Sequence, residues 1–401
     1  MKRRNQMKTL YLHIGAPKTG TTSIQHFCWE NQEVFKKKGY CFPPMPFHYR
    51  YKSKVRNGLF LTSKYFDKEG KRDRQREEEN LKKGMKILED TFLEYDNVIL
   101  SDEGIWNGFF LRKGTRKKAD IILESAQRCG YQIKVIVYLR RQVDYVLSWY
   151  NQLIKHSASK RLSSLSWEEY FQDYKTYIAV DYLKYIRQLE RCFGKENLIV
   201  RRFDRKFFVN NSLVDDFLNA IGLQKDEDFI DDEEVTNRNS GISENACAFK
   251  RIINKIDDIE VEEKRVFEST LRKYSNDFKS STDYSMMSAE EVMEFMEQFE
   301  TSNQKIADEY FGDGLPLFEE KKHNKVKWTP NNPDYLEDAI GYMCLLHLDN
   351  IRKIKEQEEQ IRILNKQVNK LSGRIKKLRH PVGWVKNKCK KVLKKENGNN
   401  Q

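Results

Sequence analysis

The chain of 401 residues carries 73 Lys and Arg against 60 Asp and Glu, a net charge of +13, with 39% hydrophobic and 12% aromatic residues and a mean hydropathy of −0.80. So many aromatic side chains exclude wholesale disorder, and the length supplies a core for one large or two ordinary domains. Residues 350–401 hold 16 Lys and Arg against 4 Asp and Glu, so the body is almost neutral and its charge gives no ground for a nucleic-acid partner.

No run approaches the ~20 apolar residues of a membrane-crossing helix. The basic start at residues 1–6 is followed by an apolar run too short for a signal peptide. Seven cysteines (Cys28, Cys41, Cys129, Cys192, Cys247, Cys344, Cys389) stand singly, with no C-x-x-C pair. Together these features predict a cytoplasmic protein with reduced thiols, without a disulfide framework or zinc site.

In chain order, residues 9–14 are an apolar, β-rich run ending in Gly15-Ala16-Pro17-Lys18-Thr19-Gly20, and a helical pattern follows over 21–38. Strand, glycine-bearing loop and helix open an α/β domain. Residues 43–96 hold Pro43, Pro44 and Pro46, then a dense charge run from Asp67 to Lys86 that predicts a solvated helix before a strand at 97–100. A helix over 116–129 precedes residues 133–139, whose Ile and Val content suits a strand covered on both faces. Helix resumes from Asp144, and a helix over 181–193 leads to a strand at 197–202. This alternation predicts an α/β fold with a mostly parallel sheet flanked by helices, followed by amphipathic helices over 242–312.

Residues 324–334, with Pro330 and Pro333, read as a linker. Beyond it Ile354, Ile361, Val368 and Ile375 recur every seven residues, and Leu364, Leu371 and Leu378 fill the second seam, with Gln357 as its polar interruption. Ile or Val at one seam position and Leu at the other favours a parallel two-stranded coiled coil, hence a homodimer; a single amphipathic helix folded back on the body is the alternative. In the tail, Val382, Val385, Cys389, Val392 and Leu393 share a helical face ringed by lysines, with Trp384 near its edge. That pattern suits a helix lying peripherally on an anionic membrane surface; a solvated basic tail or one binding an acidic glycan fits the same residues. The expected organisation is a domain over 8–320, a linker and connecting helix over 321–349, a coiled coil over 350–379 and a basic amphipathic tail over 380–401.

A strand running into Gly15-Ala16-Pro17-Lys18-Thr19-Gly20-Thr21-Thr22-Ser23 and then a helix is a place to hold an anion. Unsatisfied N–H groups point outward at the helix start, the glycines let the backbone approach, hydroxyls add donors, and Lys18 supplies a point charge. The loop departs from the triphosphate signature G-x-x-x-x-G-K-[ST], because its lysine precedes Gly20 and none follows. Here the sequence resembles the sulfotransferases that use 3′-phosphoadenosine 5′-phosphosulfate (PAPS), whose 5′-phosphosulfate loop reads P-K-[ST]-G-[ST]-[ST]. A second stretch, Ile136-Val137-Tyr138-Leu139-Arg140 and on to Ser148, is similar to the family's 3′-phosphate motif: Arg at a strand end and Ser eight residues later, with Gln142 where the family usually has Pro. An Arg fork and a hydroxyl are apt donors to a phosphate. The likeness covers residues 8–320 and is sharpest in these two motifs, running more faintly through 193–201, 216–218, 236–240 and 302–304.

The resemblance implies a P-loop-like fold, PAPS as cofactor with 3′-phosphoadenosine 5′-phosphate as product, no metal, and a hydroxyl acceptor on a carbohydrate or glycolipid. It implies cofactor-binding roles for Lys18, Thr19, Gly20, Thr21, Thr22, Ser23, Arg140 and Ser148, with Lys18 neutralising the leaving phosphate. Phe203 falls where the family often keeps an aromatic against adenine, and a core role suits it equally. For the base, Glu103 lies at the end of the strand before the 3′-phosphate motif; its other reading is a helix N-terminal acid. His48, in the Pro-rich segment, is the rival base, while His13 reads as a hydrogen-bonded strand residue. Two other functions are open on sequence: a nucleotide kinase or triphosphatase with a variant phosphate loop, and a non-catalytic coiled-coil scaffold.

Overall fold

The computed structural model describes residues 7–47, 54–67, 71–111, 116–157, 159–230, 241–275, 284–379 and 381–396. His48, residues 236–240 of the fainter likeness, and residues 380 and 397–401 of the tail lie outside them. The chain divides into two compact units, between Tyr335 and Leu336.

In the first unit, β1 (Lys8–His13), β2 (Tyr40–Cys41), β3 (Asn97–Ser101), β4 (Tyr131–Leu139) and β5 (Leu198–Arg202) form a parallel sheet in the order β2-β3-β1-β4-β5. The registers Leu12↔Leu100 and Leu12↔Val135 put β1 at its centre. Its apolar residues are sealed: Leu10, Leu12, Ile14, Leu100 and Val135 to Leu139 are fully buried. The expected strands are thus present and joined in one sheet, because each apolar run is covered on both faces.

One face packs on Ile24, Phe27, Phe35, Phe217, Leu218 and Phe229. Elsewhere the helices Arg74–Glu94 and Arg116–Cys129 pack together and against β3 and β4, with Phe92 stacked on Tyr131 at 4.3 Å between ring centroids. Each fully buried aromatic or aliphatic side chain contributes about 1.5–3 kcal/mol.

Two details differ from the sequence reading. The helix after the first loop is not continuous to residue 38: it runs Thr21–Glu30, breaks at Asn31 and resumes over Gln32–Lys37. Asn31 is buried, its amide donating to the carbonyls of Phe27 and Ile230 and accepting from the Ile230 N–H, so a tertiary tie replaces the helical ladder there. Strand β2 was not expected; its two residues carry no periodic signal and are strand only through pairing with Asn97 and Val98.

Beyond β5 come the helices Leu213–Ala220, Glu244–Lys255, Val261–Tyr274, Ala289–Glu297 and Glu300–Tyr310. Residues 321–349 include the strand Val326–Lys327, paired with Tyr284–Ser285, and the start of the helix Asp334–Arg379. The second unit consists of the rest of that helix and the helix Pro381–Glu396. Among the described residues, no helix is long and apolar enough to cross a membrane.

Candidate functional site

The chain passes from β1 outward to β2, returns to β3 beside β1, and crosses to β4 on β1's other side. Loops leaving β1 and β4 therefore diverge at the sheet's carboxyl edge, where open α/β sheets hold their ligands. A cleft of about 1710 Å³ opens there, lined by both predicted motifs, including Lys18, Gly20, Thr22, Arg140 and Ser148.

The loop after β1 is shaped by its backbone. Gly20 has φ +68°, and a Cβ there would lie 2.3 Å from Leu213, so a side chain is barred by both conformation and space. The helix starting at Thr21 has no acid in its first turn and no side-chain cap, which leaves its N–H groups available to an anion. Thr22 is half-buried, and Thr21 and Ser23, though buried, also line the cleft. Thr19 is placed differently: it is fully buried beneath the loop, with its hydroxyl donating to the Ala16 carbonyl at 2.5 Å.

Lys18 has φ +71°, a left-handed conformation uncommon for a residue with a side chain. Its ammonium reaches Gln152 at 3.4 Å, and burial, with Lys155 and Arg140 nearby, pushes its pKa down to about 8. Arg140 donates to the Lys18 carbonyl at 2.8 Å, which ties the strand-end arginine to the first loop across 122 residues of chain. Its own carbonyl accepts from Tyr182 at 2.6 Å. Phe203 lies with its ring centroid 5.9 Å from the Arg140 guanidinium and lines the same cleft.

The helix Gln142–His156 forms one wall. Ser148, Gln152 and Lys155 all line the cleft from it, at the i, i+4, i+7 spacing of one helical face. Gln142, standing where proline is usual in the resembled motif, is fully buried in a reciprocal amide pair with Asn303, at 2.7 and 3.2 Å. That pair anchors the start of the helix by side-chain bonding in place of proline's stiffness.

At the β3 end, Asp102 is fully buried and bound by both ends of the Arg56 fork, at 2.8 and 3.0 Å. Arg56 also reaches Glu103 at 3.2 Å, and Gln25 donates to Glu103 at 3.1 Å. Burial alone would raise the Glu103 pKa; Arg56, the backbone, Gln25 and His13 outweigh it and hold the carboxyl below its usual range, so it is ionised at neutral pH. Glu103 lines the cleft with Lys18. His13 is fully buried, bonded through Nδ1 to Ser101 at 2.8 Å, while its Nε2 has no partner among the described residues; burial pushes its pKa down to about 4.

The cleft thus gathers Lys18, Gly20, Thr21, Thr22, Ser23, Glu103, Arg140, Ser148 and Phe203 from the sequence-predicted set. Arg56, Gln152 and Lys155 also line it without having been singled out. The helical spacing from Ser148 could have found Gln152 and Lys155. Arg56 carries no local signal, because its place depends on the 54–62 segment folding onto the end of β3 through Asn57 bonds to Ile99 and Ser101.

Fold and cleft define an open parallel α/β protein with a cationic, hydroxyl-bearing loop at the sheet's carboxyl edge. No family model matches the chain. An uncharacterized protein of Archaeoglobus fulgidus is 28% identical over 179 residues, 45% of this chain and 46% of that protein, so the chain spans about half the length of the relative it matches. Among solved structures, the sulfotransferase from Alicyclobacillus acidocaldarius is similar over 66% of this chain and 100% of that one, with 16% identity and a TM-score of 0.33.

Proposed function

We propose that the chain is a PAPS-dependent sulfotransferase acting on a hydroxyl of a carbohydrate or glycolipid. The observation that carries this reading is the joining of two motifs, distant in sequence, at one cleft: Arg140 donates to the Lys18 carbonyl while Lys18, Thr22 and Ser148 line the same space. The residues present fit such a cofactor. Gly20 leaves backbone room that a Cβ would fill, the helix N-terminus is uncapped, and Lys18 is a largely buried cation.

In this reading the loop from Lys18 to Ser23 holds the 5′ anionic end, Arg140 and Ser148 hold the 3′-phosphate, and Phe203 offers a ring face to the base. PAPS supplies, when bound, a sulfuryl group whose bond to the 5′-phosphate breaks as the bond to the acceptor oxygen forms. Lys18 neutralises negative charge growing on the 5′-phosphate side, a role worth ~10²–10³-fold in rate for a preorganised donor. Glu103, ionised and held by Arg56 and Gln25, is the group to take the acceptor's proton. A nucleotide kinase has less support, since no lysine follows Gly20.

Calorimetric titration with 3′-phosphoadenosine 5′-phosphate tests the reading: binding is expected, weakened about tenfold or more in Arg140→Ala. Because an anion prefers protonated Lys18, whose pKa burial and neighbouring cations lower to about 8, affinity should be full below that pH and fall as pH rises through it. No binding at millimolar ligand would sink the proposal.

For the second unit we propose pairing with a second copy. Ile354, Ile361, Leu364, Val368, Leu371 and Ile375 all lie on the helix Asp334–Arg379 and each is more than half exposed. Their heptad order favours a parallel dimer. The lysine-rich helix Pro381–Glu396 is proposed to rest on an anionic membrane surface at the cytoplasmic side.

A further inference from the structure

The cleft extends beyond the groups that the proposed cofactor would use. Along the helix Gln142–His156, Lys155 stands seven residues past Ser148, about 10 Å farther along the axis, and Gln152, the partner of Lys18, lies between them. Lys155 is 9% exposed, lines the cleft, and makes no hydrogen bond or ion pair among the described residues. A surface lysine in a last helical turn would need no explanation beyond the helix dipole. This one is taken out of water without a counter-ion, which is costly unless something else supplies the negative charge.

Its neighbours do not supply it. Lys155 feels the fields of Arg272 and Glu268, and Lys250 feels that of Glu268. Glu268 is already committed: Arg272 donates to it at 2.7 Å and His156 lies 3.2 Å from it. Lys250 is nearly fully buried and spends its ammonium on Asn254. One carboxylate therefore faces three cations, and Lys155 and Arg272 both border the cleft. Trp149, on the same wall, has a buried indole N–H with no hydrogen-bond partner among the described residues.

Building on the sulfotransferase reading, we propose that Lys155 and Arg272 form an anion subsite for the acceptor, so that the substrate is a hydroxyl compound that already carries a carboxylate, phosphate or sulfate group. Lys18 contacts Gln152, which stands between Ser148 and Lys155 along the helix, so in this proposal the acceptor's charge is held past Lys18 from the Ser148 end that would take the 3′-phosphate. The subsite selects acidic acceptors and orients them, and takes no part in the bond change.

The test uses the full chain saturated with 3′-phosphoadenosine 5′-phosphate and three matched probes: methyl glucoside, methyl glucuronide and methyl glucoside 6-phosphate, followed by saturation-transfer NMR. At least one anionic probe is expected to bind tenfold or more tighter than the neutral one, and the stronger of the two tells carboxylate from phosphate. In Lys155→Met the preference should vanish, in Lys155→Arg it should persist, and affinity for 3′-phosphoadenosine 5′-phosphate should stay within twofold in both. Equal binding of all three probes overturns the proposal, as does a preference that survives Lys155→Met. A tenfold loss of 3′-phosphoadenosine 5′-phosphate affinity in Lys155→Met also overturns it, by assigning the lysine to the cofactor. Failure of the wild-type chain to bind 3′-phosphoadenosine 5′-phosphate at all is a different result, and rejects the sulfotransferase reading itself.

Discussion

His13 and Glu103 show how one short stretch of sheet edge holds two ionisable groups in opposite condition. His13 is fully buried and Glu103 half-buried at the cleft, yet Glu103 has Arg56 and Gln25 to stabilise its charge, whereas His13 has only the Ser101 hydroxyl on one nitrogen and, among the described residues, no partner on the other. His13 is therefore neutral in the fold, with its pKa near 4 against about 6.5 in the unfolded chain. Its contribution to stability is full above pH 6.5 and is lost as pH falls from there to about 4, because only the unfolded chain takes up the proton in that window. The loss reaches about 3 kcal/mol. Urea unfolding across pH 4–7 should give a shallower slope for His13→Asn than for the wild type. Glu244, whose pKa burial raises to about 7, contributes a slope of the opposite sign; comparing the two chains cancels it. Identical slopes would remove the buried-histidine account.

Among the elements, the sharpest contrast is between the strands and the long C-terminal helix. Residues 133–139 announce a buried strand by composition, and β4 is buried from Val135 to Leu139. The heptad pattern predicts a partner, and six of its seven apolar residues, Ile354, Ile361, Leu364, Val368, Leu371 and Ile375, stand exposed on the single chain. A surface of that kind is soluble only when paired or sparse. Sedimentation equilibrium should find a dimer at micromolar concentration that dissociates in Val368→Lys, with the thermal unfolding of the first unit unchanged; a monomeric wild type would reject the pairing. The helix break at Asn31 and the two-residue β2 were not legible, because both arise from contacts with residues remote in sequence.

Across the whole molecule, the net charge of +13 is unevenly distributed, with residues 350–401 holding 16 Lys and Arg against 4 Asp and Glu. A few cations, Lys18, Arg140, Lys155 and Arg272, line the cleft, while Lys386, Lys388, Lys390 and Lys391 are exposed along the last helix. Vesicles containing 30% phosphatidylserine should bind the full chain in low salt and release it on raising the ionic strength, whereas a chain ending at residue 379 should not bind; salt-insensitive or tail-independent binding would reject the membrane role.

Local pattern alone was enough for the α/β alternation and for a strand running through a glycine-bearing loop into a helix, since periodicity and turn chemistry act within a few residues of chain. Only the folded chain could bring Arg140 against the Lys18 carbonyl, set Gln142 on Asn303, bind Arg56 to Asp102 and Glu103, and leave Lys155 buried without an ion pair among the described residues. Those relations span tens to more than a hundred residues, and burial, which sets both the cost of a charge and its need for a partner, has no counterpart in a linear string of residues.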